Sequence, residues 1–224
     1  MQPKIIKTAE NVTLIGGGEV SKSDFDWSFG QAPVVVAADG GANFARIVNV
    51  QPHAVIGDLD SIDPDNLASL PSDQVHHIAE QDSTDFDKCL RSIDAPLVIG
   101  LGFLGFRLDH QLAALSTLVA HPEVSCLLIG SHDVAFLAPL QMTLTLPIAT
   151  RLSLYPMGAV SGHAQGLAYP LDDICFAPDG RIGTSNQTTE ETVQLTFSDR
   201  KMVVILPRDQ AQAALNGMRG VRAG

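Results

Sequence analysis

The sequence predicts an α/β fold, a mostly parallel sheet flanked by helices, followed by an antiparallel β-sandwich. Two observations carry this. Over roughly the first 130 residues, short β-branched runs end in Gly or Asp and alternate with segments of helical spacing. From about residue 134 the rhythm becomes period two, with runs separated by Pro, Gly and Asp. The boundary is expected near 135 to 140, which gives 1–137 as the α/β domain and 138–224 as the β-sandwich domain.

VTLIGGG (12–18), PVVVAADGG (33–41), HAVIGD (53–58), QVHHIA (74–79), PLVIGLG (96–102) and SCLLIG (125–130) read as strands. They are nearly continuous in apolar residues, as strands covered on both faces must be. GANFARIVNV, DPDNLASL, TDFDKCLRSI and HQLAALSTLVA, which lie between them, have apolar residues at helical spacing. MTLTLP, RLSLYPMG, GHAQGLAYPL, ICFAPDGRIG, TVQLTFSDR and MVVILP supply the antiparallel strands, and DQAQAALNGMRGVRAG reads as a short polar helix or a frayed end.

Composition narrows the partners. The chain is 45% hydrophobic over 224 residues, enough for a well-buried core. Lys+Arg 14 against Asp+Glu 25 gives a net charge of -11, which argues against nucleic acid or an anionic membrane as partner. A phosphate ligand would therefore need metal ions. Cys89, Cys126 and Cys175 are odd in number and set in apolar runs, so buried thiols in a reducing compartment are expected. No signal-peptide pattern or run of 18 apolar residues occurs, and the expectation is a soluble cytoplasmic protein.

The polar signals collect where strands end, the edge at which open α/β sheets gather ligands. GDLDSI sets Asp58 and Asp60 two apart after a strand, where an extended chain points both carboxylates the same way. Such a pair suits a hard divalent cation such as Mg2+, or else caps a turn. AADGGAN places Asp39 before two glycines that allow close backbone approach to a phosphate or sugar. QDSTDFDKCL opens a helix with Asp82 as N-cap and Asp85 at the third helical position; Asp82, Asp85 and Lys88 then share one side, while Phe86, Cys89, Leu90 and Ile93 face the core.

GFRLDH adds Arg107 and Asp109 beside His110. Gly100, Gly102 and Gly105 spell G-x-G-x-x-G, but the acid a dinucleotide site needs on the next strand is replaced by Gly130. There is no Walker A sequence and no nucleophile elbow, and the 7 histidines lack metal-ligand spacing. Jointly, Asp39, Asp58, Asp60, Asp82, Asp85, Lys88, Arg107 and Asp109 fit a metal-nucleotide site for phosphoryl or pyrophosphoryl transfer.

ADGGAN, GDLDSI, QDSTDFDKCL, GFRLDH, GLAYPL and GTSN, in this order, resemble the motifs of the thiamine pyrophosphokinase family. The resemblance implies an α/β domain followed by a β-sandwich, ATP and Mg2+, thiamine as acceptor, AMP and thiamine diphosphate as products, and a homodimer with thiamine near the subunit interface. It implies that Asp58, Asp60, Asp82 and Asp85 form the acidic metal site and that Lys88 and Arg107 neutralise phosphate charge. It also implies that Asp39, Asn43, Ser61, Gln81, Thr84 and Asp109 line the nucleotide region. Tyr169 corresponds to an aromatic, often tryptophan, that packs on thiamine, and Ser185 and Asn186 in the GTSN turn would add polar contacts. The departures are Phe106 where the family has glycine, and tyrosine at 169. The competing readings are a silent nucleotide or thiamine sensor, a nicotinamide-dependent oxidoreductase using GLGFLG, and a pyrophosphokinase with a different aromatic alcohol as acceptor.

Overall fold

The computed structural model describes residues 4–105 and 107–219. The chain divides into two compact units, Met1–Thr117 with Leu128–Gly130, and Leu118–Leu127 with Ser131–Gly224.

The first unit runs β1 (Ile6–Lys7), β2 (Val12–Ile15), α1 (Lys22–Gln31), β3 (Val34–Ala38), α2 (Gly41–Ile47), β4 (Ala54–Gly57), α3 (Pro64–Ser69), β5 (Val75–His77), α4 (Asp85–Ser92), β6 (Ile93–Asp94), β7 (Val98–Leu101), α5 (Leu108–Ala120) and β8 (Cys126–Ile129), the last two crossing the division. Strands β7, β2, β3, β4 and β5 pair in that order, all in parallel, and β8 follows β7. β2, β3, β4 and β7 are buried at every position, which explains why they read as continuous apolar runs. The chain builds outward from β2 through β3, β4 and β5, then returns to place β7 on the other side of β2. Such a reversal of strand order is where open α/β sheets place a ligand crevice, at the carboxyl ends of the strands.

The strand and helix segments expected in this unit all form. The start of α4 differs: Thr84, not Asp82, is its N-cap and accepts from the Asp87 N–H at 3.2 Å, so Asp85 is the first helical residue. Helix α1 was not expected. Its Phe25, Trp27 and Phe29 alternate rather than follow a helical stripe, and the helix rests on a Ser21 cap and a Lys22–Asp26 pair.

The second unit contains β9 (Asp133–Leu137), β10 (Gln141–Thr145), β11 (Arg151–Pro156), β12 (Val160–Gln165), β13 (Leu171–Phe176), β14 (Gly183–Gln187), β15 (Thr192–Phe197), β16 (Met202–Pro207) and α6 (Ala211–Arg219). β10, β15, β12 and β13 form one antiparallel sheet, and β14, β11, β16 and β9 pair antiparallel in a second set. Burial alternates along β10 and β15, as the period-two reading requires. A Cβ on Gly183 of β14 would lie 3.4 Å from the Phe176 ring of β13, so the two layers touch face to face there. GTSN, expected as a turn, is strand β14. The tail forms α6, with Ala211, Ala214, Leu215 and Met218 buried. Cys175, expected to be buried, is exposed, whereas Cys89 and Cys126 are buried. Among the described residues no helix is long and apolar enough to cross a membrane.

Candidate functional site

Five connections at the carboxyl edge of the first unit wall a cleft of about 570 Å³. The loop after β2 contributes Gly17, Gly18 and Glu19, and the turn after β3 contributes Asp39, Gly40 and Asn43. Asp58 and Ser61 follow β4; Thr84, Asp85 and Lys88 come from the start of α4; Phe103, Arg107 and His110 complete the wall from the β7–α5 connection.

Glycine permits the crowding. A Cβ on Gly18 would meet the Gly102 carbonyl oxygen at 2.4 Å, so the loops after β2 and β7 approach backbone to backbone. A Cβ on Gly57 would lie 2.8 Å from Asp39 Cβ and 3.1 Å from an Asp85 oxygen. Only the bare end of β4 lets these two acids converge.

Carboxylate oxygens of Asp39, Asp58 and Asp60 all lie within 4.8 Å of one another. The convergence of Asp58 and Asp60 was expected from an extended chain, but Leu59 between them has φ 66°, so a left-handed residue folds the loop back instead. Asp39 is also left-handed, at φ 43°, and is 4% exposed. Its Oδ2 accepts the Ser61 N–H at 3.3 Å, and Asp60 accepts the Ser61 hydroxyl at 2.8 Å. One oxygen each of Asp39 and Asp58 is buried with no hydrogen-bond partner. Buried carboxylate oxygens without a donor are costly, and oxygen-only ligation of a hard cation is the chemistry that would satisfy them. The residues therefore fit a divalent cation.

Lys88 lies beneath this group, 2% exposed, with its ammonium 3.0 Å from Asp85 and 3.6 Å from Asp58. Burial works against its charge, but the hydrogen bond to Asp85 and the two acids outweigh it and raise the Lys88 pKa. Burial would raise Asp58, yet the charge of Lys88 and the Gln81 amide, which donates at 3.3 Å, bring it below the ordinary aspartate value. Asp39 goes the other way. Its burial, with Asp85 and Asp58 nearby, pushes its pKa up despite the bonds from Ser61 and Gly40.

The remaining predicted residues divide. Asn43 donates to the Ser61 carbonyl at 3.0 Å and accepts from the Asp63 N–H at 3.0 Å and from Asn66 at 3.2 Å, so it ties the acidic loop to α2. Arg107 lines the cleft but is paired with Asp109 at 2.6 Å; Asp109 itself does not line it. Asp82 is exposed in the bend before α4 and outside the cleft wall. Tyr169, Ser185 and Asn186 belong to the second unit. Phe106 lies outside the described residues.

Sequence reasoning missed the wall formed by Gly17, Gly18 and Phe103. The signal lay in the glycine run that ends VTLIGGG, at the carboxyl end of a strand. Phe103 packs on Phe86 at 4.3 Å between ring centroids and fills the space that a side chain at Gly16 would need.

Fold and site together define an α/β protein whose strand-edge cleft gathers carboxylates of a kind that fits a divalent cation, joined in one chain to an antiparallel β unit. The family model for the thiamin pyrophosphokinase catalytic domain matches residues 25–128. Thiamine pyrophosphokinase 1 of Oryza sativa subsp. japonica is 29% identical, with 77% of this chain and 78% of that protein covered. Thiamine pyrophosphokinase 1 of Arabidopsis thaliana is 28% identical over 72% and 73%. Among solved structures, thiamin pyrophosphokinase from Candida albicans superposes with a TM-score of 0.75 at 19% identity, covering 89% of each chain. The yeast enzyme gives 0.74 at 16% identity, covering 94% of this chain and 89% of that one. Residues 25–128 thus match the catalytic-domain model of the thiamin pyrophosphokinase family, and the chain is similar to thiamin pyrophosphokinases over most of its length.

Proposed function

We infer that the protein is a thiamine pyrophosphokinase, which transfers the pyrophosphoryl group of ATP to the hydroxyl of thiamine and releases AMP and thiamine diphosphate. The observation that carries this reading is the set of converging Asp39, Asp58 and Asp60 oxygens, two of them buried without partners, beside the Asp85–Lys88 pair.

Pyrophosphoryl transfer asks little covalent chemistry of a protein and much positioning and charge stabilisation. Asp39, Asp58 and Asp60 would hold Mg2+, with Asp85 on the adjoining wall. Bound there, Mg2+ would neutralise phosphate oxygens and draw the nucleotide to an acidic site that otherwise repels it. Gln81 and Lys88 hold Asp58 ionised, and Lys88 also fixes Asp85. Arg107, on the cleft wall, supplies positive charge toward the phosphates. Asp82, whose carboxylate stands outside the wall, keeps at most an outer role in this assignment.

Division of labour follows the two halves of the chain, with 1–137 catalytic and ATP-binding and 138–224 a β-sandwich receiving thiamine. Tyr169 is 68% exposed, and its ring suits both the pyrimidine and the cationic thiazolium of thiamine. A cytoplasmic homodimer completes the proposal.

The test is direct. Purified protein incubated with ATP, Mg2+ and thiamine should yield AMP and thiamine diphosphate in equal amounts by chromatography, and EDTA should stop both. Formation of ADP with thiamine monophosphate would mean that a different phosphorus is attacked, and would overturn the reading.

A further inference from the structure

Tyr169 ends a segment laid along β14. The Ala168 N–H donates to the Gln187 carbonyl at 2.8 Å and the Thr189 N–H donates to the Gly166 carbonyl at 2.9 Å. Gly166 begins the segment at φ 81°, where a Cβ would lie 2.4 Å from the Thr192 oxygen. At Tyr169 a side chain takes over from this backbone pairing. The Asn186 Oδ1 accepts the Tyr169 N–H at 3.1 Å and the Gln187 N–H at 2.8 Å, and its Nδ2 donates to the Tyr169 carbonyl at 2.8 Å.

The local backbone explains why Asn186 points inward. β14 and β11 lose register between Leu152 and Leu154, and Ser185 adopts φ 61°. The Ser185 N–H then donates to the Ser153 hydroxyl at 3.0 Å. Such an irregularity re-aims the next side chain. Asn186 is 4% exposed, whereas the Tyr169 it holds is 68% exposed. Both lone-pair positions of its oxygen and one of its two N–H groups are engaged within the unit.

We propose that Asn186 is a positioning residue for thiamine: it clamps both backbone polar groups of Tyr169, so that the exposed ring is held ready for the ligand, and does not itself touch thiamine. This rests on the assignment of Tyr169 to thiamine made above. A ring ordered in advance loses less freedom on binding than one that must be ordered by the ligand. Loss of the clamp therefore weakens thiamine capture and leaves chemistry at the first unit's carboxylates alone.

Steady-state kinetics on Asn186→Ala, Tyr169→Ala and the double variant test the proposal, with circular dichroism melts as control. Asn186→Ala should raise the KM for thiamine about five- to tenfold, with kcat and the KM for ATP held. Asn186→Ser, a small neutral side chain too short to span both Tyr169 backbone groups, should raise the thiamine KM in the same way and serves if the alanine variant does not fold. The double variant should be no worse than Tyr169→Ala, because the clamp has nothing left to orient. Multiplicative effects would show that Asn186 contacts thiamine itself and overturn the proposal. So would equal losses in kcat and both KM values, the mark of a merely structural residue. If Tyr169→Ala leaves the thiamine KM unchanged, the assignment of Tyr169 fails first, and a raised thiamine KM in Asn186→Ala would then need another cause.

Discussion

Replacing Asp39 with asparagine should stabilise the cation-free protein while disabling it. The side chain is 4% exposed, and its burial, reinforced by the nearby Asp85 and Asp58, holds its pKa above the ordinary aspartate value. Its oxygens lie within 4.8 Å of those of Asp58 and Asp60. At that separation two carboxylates repel by about 3.5 kcal/mol at an effective dielectric of about 20, and by about 0.9 kcal/mol in bulk water. Asp60 is exposed and Asp58 is offset by Lys88, so relief of about 1–3 kcal/mol is the reasonable scale. In a chain of this size, each kcal/mol moves the melting temperature by about 2–4 °C.

The sign with pH follows from the raised Asp39 pKa. Its contribution to stability is present below the unfolded value, where the carboxyl is protonated, and is lost as pH rises through the folded value. At neutral pH the ionised form is therefore a cost that asparagine removes and a cation offsets. Melting curves in EDTA and across a Mg2+ titration at pH 7 check both statements. Wild type should gain about 2.7 kcal/mol at 100 times its dissociation constant, and Asp39→Asn should lose most of that gain along with turnover. An asparagine variant that melts below wild type in EDTA, or that keeps the full Mg2+ response, would refute the reasoning.

Gly57→Ala should lower turnover about 100-fold, since the new methyl meets Asp39 Cβ at 2.8 Å and a displacement of about 1 Å at reacting groups costs that much; the accompanying loss of about 1–3 kcal/mol is read from denaturant melts. Lys88→Met should destabilise by about 2–3 kcal/mol, less than a wholly buried pair because both carboxylates retain water contact. It should also shift the acid limb of the stability profile upward. Asp58, held below its ordinary value by Lys88 and Gln81, contributes stability above its unfolded pKa that disappears as pH falls through the folded one.

Patterning made most of the fold legible, and its failures have physical causes. β2, β3, β4 and β7 announce themselves because burial on both faces leaves no alternative to apolar residues. β14 is hidden because its residues, Gly183–Gln187, are small and polar and its pairing is set by β11 and a register irregularity rather than by alternation. α1 is hidden for a related reason: only Phe25 and Ser28 are buried, so it carries no stripe. At the site, residue types identified the acids, but their separate parts come from three-dimensional placement. Asp39, expected to line the nucleotide region, joins the converging carboxylates, while Asp82, expected among the metal ligands, stays outside the wall. A two-residue shift of the helix start decides the latter, because capping by Thr84 leaves Asp82 in the preceding bend.

The same placement bears on why three acids remain together before any cation arrives. Two non-glycine residues of the acidic site, Asp39 and Leu59, sit in the left-handed region, a conformation that persists only where surroundings over-determine it. Here they do. The Asp39 N–H donates to the Ile56 carbonyl at 3.0 Å, and Leu59 packs on the cluster of Ala37, Ala42, Val55 and Ile62. Asn43 fastens the intervening loop at Ser61 and Asp63. The repulsion among the carboxylates is thus borne by apolar packing, by neutral hydrogen bonds and, at Asp58, by the buried Lys88 ammonium. Under the proposed function, a site preformed in this way would present its carboxylates to Mg2+ without the ordering cost that a flexible acidic loop would exact at each encounter.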